Sequence, residues 1–111
     1  SSVLSPGVIV RAGAVVRESI VITDTEIGSG AVVERAVLDK RVRVGQNARI
    51  GWGVADQNIR IALVGKNSTV PEGFVVEPEA EIGTDVVESD YSDTTIHAGE
   101  VVETKRQANE I

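Results

Sequence analysis

Aliphatic residues recur along this chain with two nested periods. The longer is 17 residues, which sets Val10, Ile27 and Val44 in one column, Ala14, Ala31 and Ala48 in a second, and Val16, Val33 and Ile50 in a third. Within it the apolar steps run about six, six and five residues. A fixed step of this kind marks one supersecondary unit stacked on copies of itself. Three steps per period predict three short strands per turn and a triangular cross-section. The first aliphatic of each step faces inward, as strand alternation requires. The small residue four places later (Ala14, Ala31, Ala48) also faces inward, near a corner where bulk would clash. Gly13, Gly28, Gly30, Gly45 and Gly51 fall near those corners. No apolar stripe at helical spacing survives the Gly- and Thr-rich breaks. The predicted fold is all-β: a parallel β-helix of about five coils.

Charges give the same register independently. At the 17-residue spacing Arg17 lies over Glu34, Glu18 over Arg35, Asp24 over Arg41 and Glu26 over Arg43. Stacked parallel strands are ~4.8 Å apart, so these residues are expected to be surface neighbours. Each opposite-sign pair contributes roughly 0.2–1 kcal/mol.

The repeat is already running at the start, where Val3 aligns with Ile20 and Val37. A solenoid opening in mid-coil exposes an unpaired edge, so the chain reads as a piece of a longer protein with something upstream covering that edge. Residues 52–58 (WGVADQN) break the repeat and are expected to form a loop thrown from a corner, with Trp52 anchoring that loop or serving a subunit contact, and Ile59 to Leu63 returning to the wall. Val64, Val70, Val76 and Ile82 then resume at six-residue steps, with Ser68, Phe74, Ala80 and Val86 four places after each. Pro71 and Pro78 fit corners or strand starts. Phe74 is large for its position, which suggests that the interior widens or ends there. The division expected is 1–87 β-helix, then 88–111 as a polar loop, a short strand within Ile96–Val102 and a frayed tail from Thr104.

Composition narrows the chemistry. Three aromatics in 111 residues leave the core to Val, Ile and Ala, and the absence of Cys excludes disulfides and thiolate metal sites. No apolar run nears the ~20 residues of a membrane-spanning helix, so a soluble, cytoplasmic chain is expected. The net charge of −6 is uneven: residues 1–71 carry nine basic and six acidic side chains, residues 72–111 two and eleven. The acidic second part argues against nucleic acid as a partner. Between Arg35 and Lys66 seven basic residues face only Asp39 and Asp56, an excess that can attract a phosphorylated small molecule or remain a solvated face. His97 is the chain's one histidine. It cannot make a three-histidine metal site, and it is the sole histidine available as an acyl-transfer base. Neither a phosphate-binding P-loop nor a dinucleotide fingerprint occurs. No catalytic constellation is visible.

The six-residue steps resemble the hexapeptide-repeat, left-handed β-helix, and that resemblance alone implies the hand. Three stretches, SVLSPGVIVRAGAVVRESIV, AVLDKRVRVGQNARIG and ALVGKNSTVPEGFVV, look like the C-terminal domain of bacterial glucose-1-phosphate adenylyltransferase (ADP-glucose pyrophosphorylase). The residues that carry it are Asp39-Lys40 before Val42-Arg43-Val44-Gly45, and Val64-Gly65-Lys66 leading to Pro71-Glu72-Gly73. The resemblance implies an N-terminal catalytic domain, absent here, that joins ATP and glucose 1-phosphate with magnesium. It implies a β-helix that packs on that domain, helps to build a homotetramer and contributes to effector binding. Neither magnesium nor ATP would bind this part, which alone would be inactive. Lys66 matches an effector-binding lysine of the family, and Arg43 and Arg60, again 17 apart, would complete a phosphate-binding cluster. The alternatives are the C-terminal domain of another sugar-nucleotide pyrophosphorylase, or a free-standing hexapeptide acyltransferase with sites between subunits.

Overall fold

The computed structural model describes residues 2–52 and 60–111. The strand order is simple: three flat walls, all strands parallel, visited in rotation. With strands numbered in chain order, wall A stacks β1 (Val3–Leu4), β4 (Ile20–Val21), β7 (Ala36–Leu38), β10 (Ala62–Val64), β13 (Glu81–Ile82) and β15 (Val101–Val102). Wall B stacks β2 (Ile9–Val10), β5 (Glu26–Ile27), β8 (Arg43–Val44) and β11 (Thr69–Val70). Wall C stacks β3 (Val15–Arg17), β6 (Val32–Glu34), β9 (Arg49–Ile50), β12 (Val75–Val76) and β14 (Thr95–Ile96). The strands are two or three residues long because a corner follows each inward side chain.

The core is the set of inward columns. Val21, Leu38, Val64 and Ile82 line wall A, Ile27, Val44 and Val70 wall B, and Val33, Ile50, Val76 and Ile96 wall C, all buried. Ala31 and Ala48 are fully buried and stacked, and Ala14 packs above them at the partly covered first coil. The β-branched side chains suit these short pleated segments.

The predicted register holds through the first three coils. Val3 pairs Ile20 and Ile20 pairs Val37, Arg17 pairs Glu34, and Glu26 pairs Arg43. Arg17 and Glu34 close a 3.0 Å ion pair. Glu18 and Arg35 lie together at one corner, and Asp24 and Arg41 at another. Glu26 turns to Arg11, at 3.0 Å, rather than to Arg43. The loop expected at 52–58 lies outside the described residues apart from Trp52, whose ring stacks 4.6 Å from the Arg49 guanidinium. Past it the wall resumes with Val37 pairing Leu63 and Arg43 pairing Thr69.

Corners repeat one device. Between walls A and B the chain passes through left-handed backbone at Gly7, Asp24, Arg41, Asn67 and Asp85. Side chains there cost energy that Gly avoids and Asn or Asp lessen. Inside the corners sit buried hydroxyls. Thr25 donates to the Asp39 carbonyl at 2.7 Å and accepts from Val42 N–H at 3.2 Å. Ser68 does the same for Gly83 and Val86, at 2.6 and 3.0 Å, and Ser19 bridges Arg17 and Ala36.

Coil pairing does not stop at residue 87. β14 pairs β12 and β15 pairs β13, so the short strand expected within Ile96–Val102 is two strands on two walls. The tail expected to fray from Thr104 is tied down at its start: Lys105 N–H donates to the buried Asp90 carboxylate at 2.9 Å, and Arg106 donates to the Asp85 carbonyl at 2.6 Å. Phe74 meets Tyr91 edge to face at 5.1 Å, and the Tyr91 hydroxyl donates to the Thr69 carbonyl at 2.7 Å. The large residue in a small slot therefore marks where the prism is capped. Among the described residues no helix is long and apolar enough to cross a membrane.

Candidate functional site

The three walls present different outer faces. On wall A the outward ladder is Val3, Ile20, Val37, Leu63, Glu81 and Val101. Val3, Ile20, Leu63 and Val101 are all exposed, as is Ile61 at the corner beside them. An uninterrupted row of four aliphatics across four coils is unusual for a face meant only for water. The first described coil is apolar too: Leu4 and Val10 belong to the inward columns yet are exposed at 49% and 41%, because no described residues lie over them.

The A–B corner carries cations. Lys40 and Lys66 stand there one coil apart, joined through their backbones by Asn67 N–H donating to the Lys40 carbonyl at 2.9 Å. Beside them on wall B a depression of about 410 Å³ is lined by Asp24, Arg41, Arg43 and Asn67. Arg41 Nε donates to Asn67 Oδ1 at 2.7 Å. Arg43 is exposed and its side chain has no ion-pair or hydrogen-bond partner among the described residues.

Lys66 and Arg43 thus lie on the same side of the prism, while Arg60 does not join them. Arg60 precedes β10 and pairs with Glu79 at 3.2 Å on the C–A corner, whereas Lys66 follows β10 at the far end of that wall. The 17-residue spacing from Arg43 misleads here, since the structural neighbour of Arg43 in the next coil is Thr69. Arg41 and Asn67 are the residues that spacing missed. The signal was present in the pattern, since both occupy the corner column that holds Gly7 and Asp24.

His97 lies on the last coil, largely exposed, with Nδ1 3.5 Å from Glu77 Oε2. It borders a hollow of about 220 Å³ with Tyr91, Asp93 and Glu100. Burial, reinforced by the Asp90 charge, pushes the Tyr91 phenol above its ordinary range. Backbone hydrogen bonds from Lys105 and Val87 hold the Asp90 carboxyl below the usual carboxylate value. Both groups keep fixed protonation near neutrality and act as structure. Among the described residues no three His, Cys, Asp or Glu side chains are grouped to hold a metal ion.

Comparison with known proteins agrees with this architecture. No curated protein matches the chain. The acetyltransferase domain of PglB from Neisseria gonorrhoeae FA1090, solved in complex with acetyl coenzyme A, has a similar fold: TM-score 0.70, 20% identity, covering 94% of this chain and 49% of that one. A second structure of that domain aligns with a TM-score of 0.39 at 21% identity, covering 93% of this chain and 51% of that one. The chain therefore spans about half the length of the solved structures it matches. Residues 1–67 match the family described as GlmU-like, C-terminal hexapeptide. With six-residue steps, three parallel walls and that match over more than half its length, the chain belongs to the GlmU-like C-terminal hexapeptide family, whose left-handed β-helix it forms.

Proposed function

We propose that this chain is the packing and assembly domain of a GlmU-like sugar-nucleotide pyrophosphorylase. The observation that carries this reading is the outward apolar ladder of wall A, continuous from Val3 to Leu63. Burying four such side chains against a neighbouring domain contributes on the order of 1.5–3 kcal/mol each. The narrower reading, glucose-1-phosphate adenylyltransferase, rests on the wording of residues 39–45 and 64–73. Under it Lys66, with Arg43 on the same side, contacts a phosphorylated effector, and Arg60 contributes from the opposite corner only if the effector or a second domain spans wall A.

Acyl transfer is the second reading. The observation favouring it is a shared fold with a domain solved with acetyl coenzyme A. His97, in its hollow on the last coil, is the residue it would use as base.

The two separate in the whole gene product. The pyrophosphorylase reading expects pyrophosphate release from a nucleoside triphosphate and a sugar 1-phosphate. It also expects Leu63→Glu to break assembly, seen by sedimentation, with the β-helix circular dichroism unchanged. Acetyl coenzyme A binding without nucleotidyl transfer, or an assembly indifferent to Leu63→Glu, overturns it.

A further inference from the structure

The outward ladder of wall A has one charged member. Glu81 stands between Leu63 and Val101, its neighbours in the coils before and after, and all three are exposed. The rest of the ladder, Val3, Ile20 and Val37, is aliphatic. The Glu81 carboxylate has no hydrogen-bond or ion-pair partner among the described residues. Beside it, on the flank toward wall B, lies a trough of about 300 Å³ lined by Val37, Leu63, Glu81 and Asp39, with Gly65 and Gly83 at its corner edge. The charged groups of that trough are both carboxylates. Asp39 accepts the Lys40 N–H through Oδ1 at 2.7 Å, and its second oxygen is unused. Lys40 and Lys66 follow on the same corner, but neither lines the trough or pairs with a carboxylate.

We propose that wall A docks an amphipathic segment from another subunit of the assembly, and that this segment seats a cationic side chain in the trough against Glu81 and Asp39. The assignment rests on the packing role of wall A and adds the chemistry of what covers it. Covering an aliphatic face strips water from every group on it. A carboxylate desolvated without a counter-charge is heavily penalised, and a cation placed opposite offsets that penalty. A purely aliphatic partner would match the ladder from Val3 to Leu63 and fail at Glu81. A Lys or Arg side chain meets both demands: its methylenes lie along Val37 and Leu63, and its charged head reaches the two carboxylates. One charged position in an apolar row also fixes the register of docking.

The test compares Glu81→Gln, Glu81→Leu and Glu81→Lys in the whole gene product, with association followed by sedimentation and the β-helix by circular dichroism. The thermal midpoint of the β-helix is expected to stay unchanged, since the carboxylate has no partner within it. Glu81→Gln is expected to weaken association about tenfold, and Glu81→Lys about a hundredfold. The sign of Glu81→Leu is decisive, because it makes the ladder aliphatic from Val3 to Val101. Opposite a cation it is expected to weaken association about tenfold, whereas opposite an apolar surface it would strengthen it. Unchanged or tighter association of Glu81→Leu, or wild-type association of Glu81→Gln, overturns the assignment and leaves the packing role standing if Leu63→Glu still disrupts. A Leu63→Glu variant that assembles normally removes both.

Discussion

The buried hydroxyls show how single residues hold one coil to the next. The slot two places before each inward residue of wall B holds Val8, Thr25, Val42 and Ser68 in turn, and Val86 follows in the coil beyond. Hydroxyl and apolar occupants alternate, and each hydroxyl serves backbone groups that the following apolar occupant cannot reach. Thr25→Val preserves volume and matches the occupant of the next coil, so packing survives. It strands the Val42 N–H and the Asp39 carbonyl, and is expected to cost about 1–3 kcal/mol, measured by chemical denaturation. Sequence placed Ser68 in an inward column correctly. The purpose of its hydroxyl was hidden because both partners come from the coil beyond.

Strands of two or three residues have little stability of their own, and the coil is the working element. Its tightest point is the alanine column, where Ala31 and Ala48 are completely buried. Ala48→Leu is expected to destabilise by about 1–3 kcal/mol through overpacking, read as a lowered midpoint of thermal unfolding. Inward residues, alanine column, corners and register were legible because one period governs them all. Where the sequence after Gly51 resets the count, the period stops carrying information. Arg60 was aligned with Arg43 by number, while the backbone brings Thr69 there. The same limit hid the second strand of the last coil: Val75 pairs Thr95, twenty positions on, so neither the 17- nor the 18-residue step reaches it. The wall B depression was half legible, through Arg43 and the local basic excess. Arg41 and Asn67 meet 26 positions apart, a spacing that no repeat period reaches.

The whole molecule has unlike ends. The C-terminal end is closed by Phe74, Tyr91 and the Asp90 carboxylate, which accepts from Val87 and Lys105 N–H. Because those bonds hold its folded pKa below the unfolded value, Asp90 contributes stability that is fully present above the ordinary carboxylate pKa of about 3.9. That contribution is lost as pH falls through the lowered folded value. Asp90→Asn is expected to cost about 2 kcal/mol near neutrality. The gap to wild type should narrow as the solution is acidified below about pH 4, measured as unfolding midpoint against pH. Among the described residues the first coil shows no such fastening, and the aliphatic ladder of wall A is exposed along the length between.

Each storey touches only the storeys above and below it, and among the described residues, taken by themselves, the last coil alone carries its own latch. Such a column melts directionally: backbone protons around Val3 and Ile9 would be surrendered to solvent first, and those around Ile82 last. A neighbour resting on the first described coil would then act as a stopper, lending rigidity to distant coils without contacting them.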